Sequence, residues 1–206
     1  MIKTSMLVLA LCLVIPFAAR MGGMRQGEKI VDLGCCITGI VARRTPLLGE
    51  NTAAHANNGF VLTLNSDRHV YSTTDAINIW AALEYTGSRR GTKIWHDCPF
   101  MIFSISGGDG IWFGGIFFGF RFHCQATSVL ERGRVYHFDY QKGGIMFPED
   151  PGIEYWNHFF DEGELLLPPG EYTITVLGNF YLSDWVDWAD RDKSGLMAEI
   201  TIVVTP

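Results

Sequence analysis

The residues best suited to chemistry gather near the C-terminus. Asp190-Arg191-Asp192-Lys193-Ser194-Gly195 places oxygen-bearing side chains at positions 1, 3 and 5, with glycine at 6. A calcium loop opens this way, because a hard cation needs oxygen ligands around a sharp turn. The twelfth position is Thr201 rather than a bidentate Glu, and Glu199 stands two residues early. Calcium held by Asp190, Asp192 and Ser194 is therefore one expectation, and a solvated acidic loop is the other. No other cofactor is suggested.

Histidines and cysteines form the next constellation. His96 and Cys98 are two apart, which puts them on one face of a strand. One of His123 and Cys124, from a neighbouring strand, could complete a transition-metal set or a Cys–His nucleophile pair. No nucleophile elbow, CxxC or dinucleotide glycine loop accompanies them. The chain is therefore expected not to be an enzyme. The five cysteines are Cys12, Cys35, Cys36, Cys98 and Cys124. Cys98 and Cys124 both fall in predicted strands and are the candidate disulfide, with buried free thiols as the alternative. Six tryptophans are present. Trp156 with Phe159 and Phe160, and Trp185 with Trp188, lie in irregular segments. Exposed, they would form a patch for a protein or carbohydrate partner; buried, they would plug the ends of a core.

These residues need a scaffold, and composition bounds it. The chain has 206 residues, 48% hydrophobic and 18% charged, the make-up of a folded domain. Sixteen Lys+Arg against 22 Asp+Glu give a net charge of −6. With no basic block, nucleic acid is not an expected partner. Residues 6–19 run apolar without a charge, too short to span a bilayer as a helix but suited to an export signal. Residues 1–19 are read as a signal peptide or short anchor. Residues 20–58 are read as a spacer, with weak periodicity and the soft run Asn51–Asn58. Residues 59–206 are read as the folded domain. The expected location is secreted or membrane-anchored, outside the cytoplasm, with membrane contact only through the N-terminal segment.

From Gly59 onward the pattern is strand and turn. Phe60, Leu62 and Leu64 alternate with more polar neighbours. Ile77, Ile79, Ala81, Leu83 and Tyr85 do the same, and so do Tyr172, Ile174 and Val176. Residues 93–106 read as a strand interrupted at Pro99, and residues 196–204 as the last strand. Gly107-Gly108-Asp109-Gly110 reads as a hairpin turn. Residues 148–163 interrupt the pattern as an insertion, and this loop and residues 183–195 are the segments expected to carry recognition, as loops that a rigid sandwich would present. Seven to nine short strands without a long amphipathic helix predict an all-β, immunoglobulin-like antiparallel β-sandwich with decorated loops.

The stretch LLLPPGEYTITV, residues 165–176, resembles the entry to the penultimate strand of bacterial immunoglobulin-like domains. There a Pro-Gly turn, here Pro169-Gly170, precedes a Tyr, here Tyr172, whose hydroxyl bonds back across the corner. With DAINIWAALEYTG, CPFMIFSISGGDG and VLERGRVYHFDY in order before it, the region 71–176 is similar to the BsuPI family of intracellular proteinase inhibitor domains. The resemblance implies an immunoglobulin-like fold and, as an alternative to a binding or structural role, proteinase inhibition. No inhibitory loop carries over residue by residue.

Overall fold

The computed structural model describes residues 29–31, 40–43, 48–108, 111–114, 126–142, 158–159, 161–183 and 194–206. The strands are β1 (Lys29–Val31), β2 (Ile40–Arg43), β3 (Asn51–Asn57), β4 (Phe60–Ser66), β5 (Val70–Ser72), β6 (Ile79–Tyr85), β7 (Gly91–Gly107), β8 (Ile111–Gly114), β9 (Ala126–Glu131), β10 (Val135–Asp139), β11 (Gly170–Tyr181) and β12 (Met197–Thr205). The fold is all-β. Among the described residues no helix is long and apolar enough to cross a membrane.

The strands form two six-stranded sheets. The first has the order β1-β2-β10-β6-β4-β3 and is antiparallel throughout. The second has the order β5-β12-β11-β7-β8, with β9 also paired to β7. Its strands are antiparallel except that β5 runs parallel to β12. After β4 the chain therefore leaves the first sheet and joins the second as β5.

Both sheets contribute to one hydrophobic core, because their alternating residues turn the same face inward. Leu62, Leu64, Leu83 and Tyr136 come from the first sheet; Ile94, Tyr172, Ile174 and Ile202 come from the second. Aromatic rings form a continuous contact line through this core. Tyr85 meets Phe60 at 5.1 Å, Phe60 meets Phe180 at 5.2 Å, and Phe180 meets Phe100 at 5.4 Å. Phe100 also packs on His96 at 4.9 Å and on Phe138 at 5.2 Å. The offset and edge-on geometries add to what the buried area contributes.

Strand β7 is interrupted as its Pro99 predicts. Gly178 of β11 faces Met101 while Phe180 faces His96, so two steps on β11 oppose five on β7. The three extra residues form a bulge whose Pro99 carbonyl accepts from Asn179 Nδ2 at 2.9 Å. Inward residues are even-numbered before it, Ile94 and His96, and odd-numbered after it, Met101, Phe103 and Ile105.

Residues 20–58, read from the sequence as a spacer, supply β1, β2 and β3. Strand β3 pairs with β4 along its whole length, from Asn51 opposite Ser66 to Asn57 opposite Phe60. Its residues are small or polar, so it shows no apolar alternation, and its pairing energy comes from the backbone. The turn that closes this hairpin is Asn58-Gly59, with φ of 51° and 76°. Two consecutive positive φ values make the tight turn that matches strand twist, and Asn-Gly is the sequence that adopts it.

Candidate functional site

The sheets have two ends, and the loops expected to carry recognition are rooted at opposite ones. The insertion emerges after β10, where Tyr140 N bonds Ile79 O, and returns where Ile77 N bonds Leu165 O. The loop 183–195 emerges after β11, returns with Ser194 N on Phe180 O, and touches Asn57. Ile79 and Asn57 mark opposite ends of the first sheet. Six residue steps at about 3.4 Å separate those ends by about 20 Å. The two loops expected to carry recognition are therefore rooted at opposite ends of the first sheet.

The insertion end is tightly bonded. Tyr172, fully buried, donates its hydroxyl to Pro168 O at 2.9 Å across the turn that holds Pro169 and Gly170. The bond fixes the chain where it enters β11. Lys142 reaches across the insertion root, donating to Phe159 O at 2.6 Å and Glu162 O at 3.2 Å. Its ammonium also lies 4.1 Å from the centre of the Phe159 ring. Burial pulls the Lys142 ammonium below its ordinary pKa, against the opposing pull of Glu162. Phe159 itself is 3% exposed and belongs to the core. Its place in an exposed recognition patch is therefore corrected, because burying the ring between the sheets removes it from a partner's reach. Tyr140, packed on Phe103 at 5.8 Å, has its phenol pushed up to about 12 by burial.

A polar knot holds the crossing from β4 to β5 at this same end. Asp67 Oδ1 accepts from Tyr71 Oη at 2.6 Å and Asn78 N at 3.3 Å. Its Oδ2 accepts from Asn78 Nδ2 at 3.0 Å. Arg68 pairs with Asp75 at 3.3 Å and lies over the Tyr71 ring. Burial raises the Asp67 pKa, but the bonds from Tyr71 and Asn78 outweigh it, and the net shift is downward. Burial, followed by the bond to Asp67, raises that of Tyr71.

At the opposite end, Ser194 is fully buried. Its hydroxyl donates to Gly178 O at 2.8 Å and accepts from Leu196 N at 3.4 Å. The calcium expectation is corrected at this residue, since its side-chain oxygen is committed to the backbone between β11 and β12. Asp190 and Asp192 lie outside the described residues, as do Trp156, Phe160, Trp185, Trp188 and Cys124. Cys98 sits in the β7 bulge, where only its backbone is described. The same end carries exposed Arg89, Arg90 and Arg132, with Arg132 N bonded to Arg90 O at 2.9 Å. None of the three pairs with a carboxylate among the described residues, whereas neighbouring Arg134 pairs with Glu131 at 2.9 Å. Three exposed arginines thus lie at this end of the described structure, on a chain of net charge −6.

Of the histidines with defined partners, His96 and His137 lie on strands near the core. His96 is fully buried, with Nε2 2.9 Å from Ser128 Oγ, so its ring is part of the core. His137 Nε2 lies 2.8 Å from Asp139 Oδ1 on the outward face of the first sheet, beside Trp80. The sequence spelled this pair as His-x-Asp on a strand, a spacing that puts both side chains on one face. A carboxylate so placed orients an imidazole. Among the described residues, no three of His, Cys, Asp and Glu gather as a metal would need.

Compared with known proteins, the chain matches no family model, no curated protein and no solved structure.

Proposed function

We propose that this chain is an exported or membrane-tethered immunoglobulin-like domain that binds or supports a partner without catalysing a reaction. The observation that carries the fold is the strand order. β4-β6-β10 in one sheet facing β5-β12-β11-β7-β8 in the other, with the chain switching sheets between β4 and β5, supports an immunoglobulin-like reading. The Tyr172–Pro168 bond at the entry to β11 is the tyrosine corner of such domains. In support of a binding role, the polar side chains at the two loop ends mostly brace loops, which a rigid scaffold would then present to a partner. The partner is a protein or a carbohydrate, and Arg89, Arg90 and Arg132, exposed and without a carboxylate partner among the described residues, are candidate contacts for it. The test is intact mass of the protein in fractions of its native host. A chain shortened by about the first 19 residues, or a full chain held in the membrane fraction, is expected. A full-length chain free in the cytosol would overturn the reading.

A proteinase-inhibitor-like module is the second reading. The Lys142 clamp favours it, because an inhibitory loop gains from a root ordered in advance. Inhibition of at least one protease in a panel, lost in Lys142→Met, supports this reading; no inhibition by micromolar protein ends it.

A further inference from the structure

Among the described residues strand β3 has a free backbone edge, and its geometry says which residues own it. A two-residue turn closes on a hydrogen-bonded pair, here Asn57 and Phe60. Alternation along the ladder then commits the backbone groups of Asn57, His55, Ala53 and Asn51 to β4. Thr52, Ala54 and Ala56 point both N–H and C=O away from the sheet. All three are exposed, and their backbone groups meet no further backbone partner among the described residues.

The inner flank of the strand is pinned. Asn51 Nδ2 donates to Thr201 O at 2.7 Å, and Asn57 Nδ2 to Ser194 O at 3.1 Å. Between them His55 Nδ1 lies 3.0 Å from Met197 O and 3.2 Å from Met197 N. The edge is therefore presented in a fixed conformation. Nothing along it discourages pairing: residues 51–57 carry no Lys, Arg, Asp, Glu or Pro, and their register with β4 has no bulge. The other edges are blunter. β1 and β5 have three residues each, β8 has four, and β9 ends on Glu131.

We propose that this edge is a homodimer interface, in which β3 pairs antiparallel with β3 of a second copy about a two-fold axis at Ala54. The open residues are spaced by two around a central one, so the pattern is its own complement. Ala54 faces Ala54 of the second copy, and Thr52 faces Ala56 in both directions. Each of the three pairs exchanges two backbone bonds, six in all. The outward side chains are a threonine and two alanines, small enough for the strands to approach. The copies repel through their net charges, but the strand itself has none, and Glu50 falls beside Asn58 of the second copy rather than beside its twin. The product is one continuous twelve-stranded sheet.

Sedimentation velocity on the full chain, in mild detergent to keep residues 6–19 soluble, tests this. The protein is expected to dimerise reversibly. Ala54→Pro removes the donor at the axis without touching the β4 ladder, and Ala54→Lys sets two like charges there. Each should raise the dimer dissociation constant at least ~10-fold while the melting temperature of the monomer holds. Amide exchange gives the second readout, independent of either variant. Protection at Thr52, Ala54 and Ala56 should rise with protein concentration. A protein that stays monomeric at about 100 µM, well above a micromolar affinity, overturns the proposal. So does a dimer unchanged by both variants, or exchange at those three amides that ignores concentration.

Discussion

Replacing Asp67 with Asn should lower stability near neutral pH and lose that effect in acid. The carboxylate accepts three short bonds, from Tyr71 Oη, Asn78 N and Asn78 Nδ2. Bonds to a charged acceptor contribute about 1.5–3 kcal/mol each, against about 0.5–1.5 for neutral ones. The side chain is 31% exposed, so water weakens the difference. A net loss of about 1–2 kcal/mol is expected, or about 2–8 °C in Tm for a domain of this size. The pH dependence follows from the direction of the shift. The folded pKa of Asp67 lies below its ordinary 3.8. Its stabilisation is thus fully present above that value and is lost as pH falls through the lower folded pKa. The gap between wild type and Asp67→Asn, measured by urea denaturation, should be widest near neutral pH and narrow as the pH falls below 3.8. A double-mutant cycle with Tyr71→Phe should show coupling of about 1 kcal/mol at neutral pH. A gap that stays constant into acid, or a cycle without coupling, refutes the account of the knot.

Tyr172→Phe removes the bond to Pro168 O while keeping the ring, and should cost about 1 kcal/mol by urea denaturation. Ser194→Ala strips Gly178 O and Leu196 N of their shared partner, and should cost about 1–3 kcal/mol equally with calcium or EGTA. A cost that appears only with calcium would return Ser194 to a metal site. Gly107→Ala is expected to lower Tm by more than about 4 °C. Its φ is +144°, and an added Cβ would stand 2.1 Å from Glu171 O, a backbone atom that cannot step aside. An unchanged Tm would show that the start of β11 yields to the methyl group.

The parts of the fold that burial dictates were legible in the sequence. The alternation in residues 77–85 and 171–177 marks β6 and β11 because one face of each must enter the core. The interruption of β7 was announced by a proline that cannot donate to the ladder. Strand β3 escaped because three of its inward residues, Asn51, His55 and Asn57, bond polar backbone, and the fourth, Ala53, is too small to mark its packing on the core as an apolar alternation. Its one local signal was Asn58-Gly59, the turn sequence itself. The rooting of the two loops at opposite ends of the first sheet was not legible at all. It depends on which end of a sheet each strand finishes at, which no local pattern encodes. Ser194 likewise fits a ligand position by spacing alone, and only the approach of β11 to β12 shows that its oxygen is already engaged.

The bulge in β7 has a consequence for how this protein can change. On its free side, β7 pairs with β9 through residues 91–96 and with β8 through residues 104–107. Between those stretches the inward parity flips. A slip of one residue in an unbroken strand would turn every side chain to the wrong face. Here such an error stops at the bulge, because the two halves keep separate registers. The β8 hairpin can lengthen or shorten over generations while the β9 half keeps His96 against Ser128. The bulge therefore works as an insulator, letting the two halves of one long strand hold their registers independently.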